Sequence, residues 1–141
     1  LIDSTSGWFA QQKSDFDSRH QYFRNRKIVP TSDKPILISE CGGYGLRKEH
    51  HLYFDEEDKI YQYGGCKDEK ELTDKIMKLY EEMILPGIAE GVCGCIYTQL
   101  ADVEGEVNGL YTYDRALCKV DAQRMTELAH RIRETLSAST N

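Results

Sequence analysis

Ile36-Leu37-Ile38-Ser39-Glu40-Cys41-Gly42-Gly43 is the stretch on which the fold turns. It follows Pro35, is rich in β-branched residues and stops at two glycines, the pattern of a buried strand that ends in a steep turn. Glu40 is the ionisable residue at the C-terminal end of that strand. In α/β sheets and barrels this edge is where loops converge and ligands bind. Placement alone also fits a carboxylate that is merely solvated at a strand end.

Downstream, apolar residues recur at helical spacing from Asp68. Asp68 and Glu71 form a capping-box-like pair, and Leu72, Ile76, Leu79, Tyr80 and Met83 form the buried stripe. Pro86 and Gly87 end or kink this helix, and Gly91 closes the segment. A second helix is predicted from Asp121 as N-cap, with Met125, Leu128, Ala129, Ile132 and Leu136 on one stripe. Between the helices, Gly94 to Gln99 reads as a buried strand. Leu1 to Ser4 and His20 to Phe23 are two weaker strands. Short apolar strands alternating with helices predict a parallel α/β sheet covered on both faces. The connections from Gly7 to Arg19 and from Arg24 to Pro35 are too short or too Pro-broken for full crossover helices, so the early units are irregular. Gly43 to Gly65 is long for a connection and holds Leu52-Tyr53-Phe54 and Ile60-Tyr61-Gln62-Tyr63, the pattern of a small hairpin or lid.

The 141 residues suffice for one core and not for two, so one domain is expected over residues 1–137, with a disordered polar tail at 138–141. A net charge of −6 without a basic run gives nucleic acid or an anionic membrane no electrostatic support. No stretch approaches the roughly 18 apolar residues of a membrane span. A soluble chain is therefore expected. It starts at Leu1 without a methionine, as a piece of something longer would. Cys41, Cys66, Cys93, Cys95 and Cys118 are odd in number and irregular in spacing, which argues for reduced thiols and a cytoplasmic setting over a disulfide framework. Cys93 and Cys95, two apart on a strand, are expected on one face as packing residues.

The chemistry-bearing groups narrow the reaction classes. No nucleophile elbow, dinucleotide-binding glycine motif or P-loop is present, so neither a nucleotide nor another cofactor is expected. His50-His51 lacks a second ligand pair, and no metal is expected. Asp102, Glu104 and Glu106 lack the spacing of an EF-hand and read as a solvated or salt-bridged loop. Trp8, His20, Tyr22, Tyr97 and Tyr111 place flat rings and polar tips near strand ends, as a sugar-binding cleft does, although each alone is more often a core or rim aromatic. Hydrolysis through carboxylates is the chemistry that remains.

Taken with Tyr97-Thr98-Gln99-Leu100-Ala101-Asp102-Val103-Glu104-Gly105-Glu106-Val107-Asn108-Gly109-Leu110 and Tyr113-Asp114-Arg115, the Glu40 stretch resembles glycoside hydrolase family 2, the β-galactosidases, β-glucuronidases and β-mannosidases. Ser4-Thr5-Ser6-Gly7-Trp8 and Asp17-Ser18-Arg19-His20-Gln21-Tyr22 are similar to the strand-end motifs that precede the nucleophile there. The resemblance runs from Leu1 to about Met125. It implies strands five to eight of a (β/α)8 barrel, a partial TIM barrel, since a whole one takes roughly 250 residues.

The resemblance also implies roles. Glu40 is the catalytic nucleophile of a retaining exo-β-glycosidase, His20 and Tyr22 match the strand-six motif whose tyrosine can hydrogen-bond the nucleophile, and Trp8 and Tyr97 are substrate-platform positions. Cys41 departs from the aromatic that often follows the nucleophile. The substrate implied is a β-linked sugar or oligosaccharide. Retention requires a second carboxyl group roughly 5–5.5 Å away, in this family a glutamate after an asparagine, and the chain holds no Asn-Glu pair. The acid/base, the preceding half-barrel and the β-sandwich domains would be contributed by the parent chain, leaving these residues inactive alone. An open half-barrel would also self-associate through its exposed edges. The alternative is a non-catalytic carbohydrate-binding or scaffolding domain.

Overall fold

The computed structural model describes residues 1–4, 7, 9, 13–22 and 27–139. Three parallel strands make one open sheet in the order β1 (Asp17–Gln21), β2 (Ile36–Gly42), β3 (Val92–Thr98). The central strand β2 is the apolar one. Ile36, Ile38 and Cys41 are buried against the helices, where they join Val92 of β3 in the core.

Helix α1 (Glu69–Leu79) lies on this face and fills the core with Leu72, Ile76 and Leu79. Its start is capped as the sequence predicts: Asp68 Oδ1 accepts from the Glu71 N–H at 2.7 Å, and Glu71 Oε2 accepts from the Lys67 N–H at 2.9 Å. The helix does not stop at Pro86. It widens into a π turn (Tyr80–Ile84) and continues as α2 (Leu85–Ile88), with the Leu85 N–H reaching the carbonyl of Tyr80. Pro86 lacks an N–H and its ring crowds the carbonyl four residues back, and a π turn relieves that crowding without breaking the rod. Met83 and Ile84 on the π turn remain fully in the core. Gly91, at φ 97°, then turns the chain into β3.

Helix α3 (Ala122–Ser139) is capped by Asp121, whose Oδ1 accepts from the N–H groups of Gln123 and Arg124 at 3.0 and 3.1 Å. Its stripe is only half used. Leu128 is buried, Met125 and Ile132 are partly so, and Ala129 and Leu136 are exposed. The helix continues through Ser139, two residues beyond the expected end of the ordered domain.

The barrel expectation is corrected by this architecture. Strands five to eight would be four strands with helices between them, whereas the described residues hold three strands in an open sheet and two long helices, α1 and α3. Leu1 to Ser4 is not a strand. Its Ile2 N–H donates to Asp15 Oδ2 at 2.6 Å and its Ile2 carbonyl accepts from the Asp15 N–H at 2.7 Å, contacts that tie it to the turn before β1. The predicted strand at His20 to Phe23 instead begins at Asp17 and ends at Gln21. The segment Asp-Ser-Arg-His-Gln has no apolar alternation to reveal it. It is held at its start by Arg19, which donates to Asp17 Oδ2 at 2.6 Å and to the Val29 carbonyl at 2.9 Å. Nor do the described residues cover the sheet on both faces: their helices lie on one side, and Ile96, pointing to the other, is 56% exposed.

Replacing Ile76, fully buried between α1 and the sheet, by Ala should cost about 2–5 kcal/mol. Leu136→Ala, on the exposed end of the α3 stripe, should cost less than about 1 kcal/mol. Chemical denaturation midpoints of the two variants measure the difference.

Candidate functional site

The site forms where β2 ends. Ile38 and Cys41 both face the core although they are three residues apart, and the pairing of β2 slips on both sides near this point: between Ile38 and Cys41 against β3, and between Arg19 and His20 against β1. This bulge turns two consecutive residues, Ser39 and Glu40, away from Cys41. Ser39 Oγ accepts from Ser18 Oγ at 2.8 Å. Glu40, one residue further, reaches the rim, with its side chain 37% exposed.

Two groups from β1 and its end flank Glu40, and one of them is hydrogen-bonded to it. Tyr22 donates its phenolic hydrogen to Glu40 Oε2, and His20 Nδ1 lies 3.2 Å from the same oxygen. The His20 side chain is 6% exposed. Tyr22 is itself buried, and Thr98 at the end of β3 is 3.1 Å from its hydroxyl oxygen. Burial, reinforced by the bond to Glu40, pushes the Tyr22 phenol well above its ordinary pKa, so it remains a donor. Both contacts fall on Oε2.

The two glycines after Glu40 are explained by crowding. Gly42 and Gly43 have φ of 93° and 71°. A Cβ on Gly42 would stand 2.2 Å from the Tyr97 ring, and one on Gly43 would stand 2.5 Å from Tyr63. Tyr63 stacks on Tyr22 with ring centroids 4.4 Å apart, and Tyr61 meets Tyr63 edge-on at 5.3 Å. The segment from Gly43 to Gly65 is therefore no hairpin. It carries a single turn of 3-10 helix (Glu57–Lys59), and its second aromatic run lines the rim.

The loop after β3 supplies the opposite wall. Gln99 Nε2 donates to Glu106 Oε2 at 2.9 Å and to Asn108 Oδ1 at 2.8 Å, while Asn108 Nδ2 lies 3.2 Å from Glu106 Oε2. Tyr61 is joined to this loop through the backbone, its N–H donating to the Gly105 carbonyl at 2.7 Å and its carbonyl accepting from the Val107 N–H at 3.3 Å. Asp102 does not share this wall. It is buried in an ion pair with Lys119 at 2.7 Å, with both side chains essentially inaccessible. Lys119 spends its other two hydrogens on the carbonyls of Leu46 and Val107, each at 3.0 Å, so one ammonium fastens three segments. Burial raises the carboxyl of Asp102 and lowers the ammonium of Lys119, and the mutual contact opposes both shifts.

Of the residues singled out in the sequence, Glu40, His20 and Tyr22 come together. The Tyr97 ring instead packs under Gly42 against the core with Tyr44 and Cys66, and burial pushes its phenol upward. Trp8 lies outside the described residues. His51 pairs with Asp114 at 2.8 Å, joining the segment before the 3-10 turn Glu57–Lys59 to the turn at Thr112. No group of His, Cys, Asp and Glu among the described residues could hold a metal ion. All five cysteines are unbridged. Cys95 packs beside Tyr80 whereas Cys93 is exposed, because a slip in pairing between Ile36 and Leu37 leaves Cys93 opposite neither residue and separates the two thiols.

Tyr63, Thr98, Tyr61 and the Gln99-Glu106-Asn108 cluster were not expected at the site. The Ile60 to Tyr63 aromatic run was visible as a motif, but only its long-range contacts place it. No family model and no curated protein matches the sequence. Among the described residues no helix is long and apolar enough to cross a membrane.

Lys119→Met should destabilise the protein by about 3–5 kcal/mol, because it strands the buried Asp102 carboxylate. The double change Lys119→Met with Asp102→Leu should recover most of that loss. A denaturation double-mutant cycle measures both.

Proposed function

We propose that this chain carries the nucleophile of a retaining β-glycosidase acting on a β-linked sugar or oligosaccharide. The observation that carries the reading is the arrangement at Glu40: a partly exposed carboxylate at a C-terminal strand edge, one oxygen hydrogen-bonded by a buried phenol with an imidazole nitrogen 3.2 Å away. The ordered motifs around Glu40, His20 and Tyr22 that resemble glycoside hydrolase family 2 support it.

In the first step Glu40 Oε1 bonds to the anomeric carbon as the bond from that carbon to the leaving oxygen breaks, and an acid protonates the leaving group. In the second, water deprotonated by the same group attacks the anomeric carbon and releases Glu40. Tyr22 and His20 are positioning residues in this scheme. They keep the carboxylate oriented, and Tyr22 stabilises it when it departs as an anion. The family that the motifs resemble uses a glutamate that follows an asparagine as acid/base, and with no Asn-Glu pair in the sequence that role is assigned to residues beyond these 141. The competing reading, a binding or scaffolding domain, draws on the aromatic rim.

A panel of 2-deoxy-2-fluoro-β-glycosyl fluorides applied to the full-length protein should label Glu40, located by peptide mass spectrometry, and name the sugar. Reversible sugar binding with no covalent label would favour the binding domain, and a label on another residue would reject Glu40. Tyr22→Phe should lower kcat by roughly 10- to 100-fold, the worth of one hydrogen bond to a charged group. The 141 residues alone should be inert on nitrophenyl β-glycosides, and turnover would mean that the second carboxyl lies within them.

A further inference from the structure

The wall of the site continues outward past Glu40 in a definite order. Tyr22 touches Glu40, Tyr63 stacks on Tyr22, Tyr61 meets Tyr63, and the backbone of Tyr61 is bonded on both sides of Glu106. The circuit closes through Gln99, which binds Glu106 and follows Thr98, itself against Tyr22. Tyr61 is 52% exposed, while Tyr22 is buried, so the aromatic series runs from the enclosed end to solvent. Both amide contacts of Glu106 fall on Oε2, and the residue is partly exposed. Tyr61 and the charges of Glu106 and Glu40 raise the pKa of the Tyr63 phenol.

An exposed aromatic ring beside a fixed carboxylate acceptor is the pairing that binds a pyranose, the ring taking its C–H face and the carboxylate its hydroxyls. We propose that Tyr61 and Glu106 form a subsite for the sugar on the leaving-group side of the bond cleaved. Tyr61 is the stacking platform, and Glu106, held by Gln99 and Asn108, accepts from the hydroxyls of that sugar. The subsite rests on the reading of Glu40 as nucleophile. It stands two aromatic contacts outward from Tyr22, beyond the ring whose anomeric carbon Glu40 would attack. The preferred substrate is therefore an oligosaccharide rather than a glycoside of a small alcohol.

The test compares kcat/KM for a β-linked disaccharide with that for the methyl β-glycoside of the same sugar, using the sugar that the fluoro-glycoside label identifies and the full-length protein. Tyr61→Ala should lower the ratio of the two roughly 10-fold, Glu106→Gln should lower it by a similar factor, and Tyr61→Phe, which keeps the ring, should preserve it. An unchanged ratio in Tyr61→Ala and Glu106→Gln, in an enzyme that still labels at Glu40, would overturn the subsite and leave the nucleophile standing. A wild-type protein that neither labels nor hydrolyses would overturn the nucleophile and the subsite with it.

Discussion

The bulge at the end of β2 is the constraint on which the site depends. A strand with strict alternation would put Glu40 on the face of Ile36 and Ile38, in an apolar layer where an unpaired carboxylate is costly. One extra residue between Ile38 and Cys41 keeps both of those side chains in the core and sends Glu40 to the rim. The flanking slip against β1 brings His20 level with Glu40. The two glycines that follow complete the geometry, because they let Tyr97 fill the space on one side and Tyr63 on the other without a side chain between them.

The helices serve this edge from one side. The rod from Glu69 to Ile88 anchors β2 through Ile76, Leu79 and Met83, and its π turn allows Pro86 to be accommodated without loss of those contacts. Among the described residues no helix lies on the opposite face of the sheet, and β1 and β3 are its edge strands. Such edges are templates for further strands.

What the sequence made legible was local. Asp68 and Asp121 announced their helices through side-chain caps three residues in range, and Ile36 to Gly43 announced a strand followed by a sharp turn. The pairing of Tyr22 with Glu40 was available only through the resemblance, since 18 residues separate them. Strand β1 was misplaced because it is polar throughout, and Leu1 to Ser4 was misread because a short apolar start has no partner pattern to test it. Cys93 and Cys95 were assigned one face by a period-two rule that a register slip defeats. The loop holding Asp102 reads as solvated or salt-bridged, but its acidic neighbours hide that Asp102 alone is buried and that its partner is Lys119. Tyr61 and Tyr63 were seen as a motif, but nothing local says that they fold back onto Gly43.

The long spans that close the rim have a consequence for the order of folding. Tyr22 to Thr98 joins residues 76 apart, and Lys119 to Leu46 joins residues 73 apart. Contacts of such separation are entropically expensive to close before the intervening chain is organised. The unit of β2, the helical rod and β3 can condense from shorter-range pairings, with Glu40 already on its bulge. The rim is then a late arrival, because the wall that faces Glu40 is stitched down by Lys119, a residue that leaves the ribosome after almost everything else the site requires.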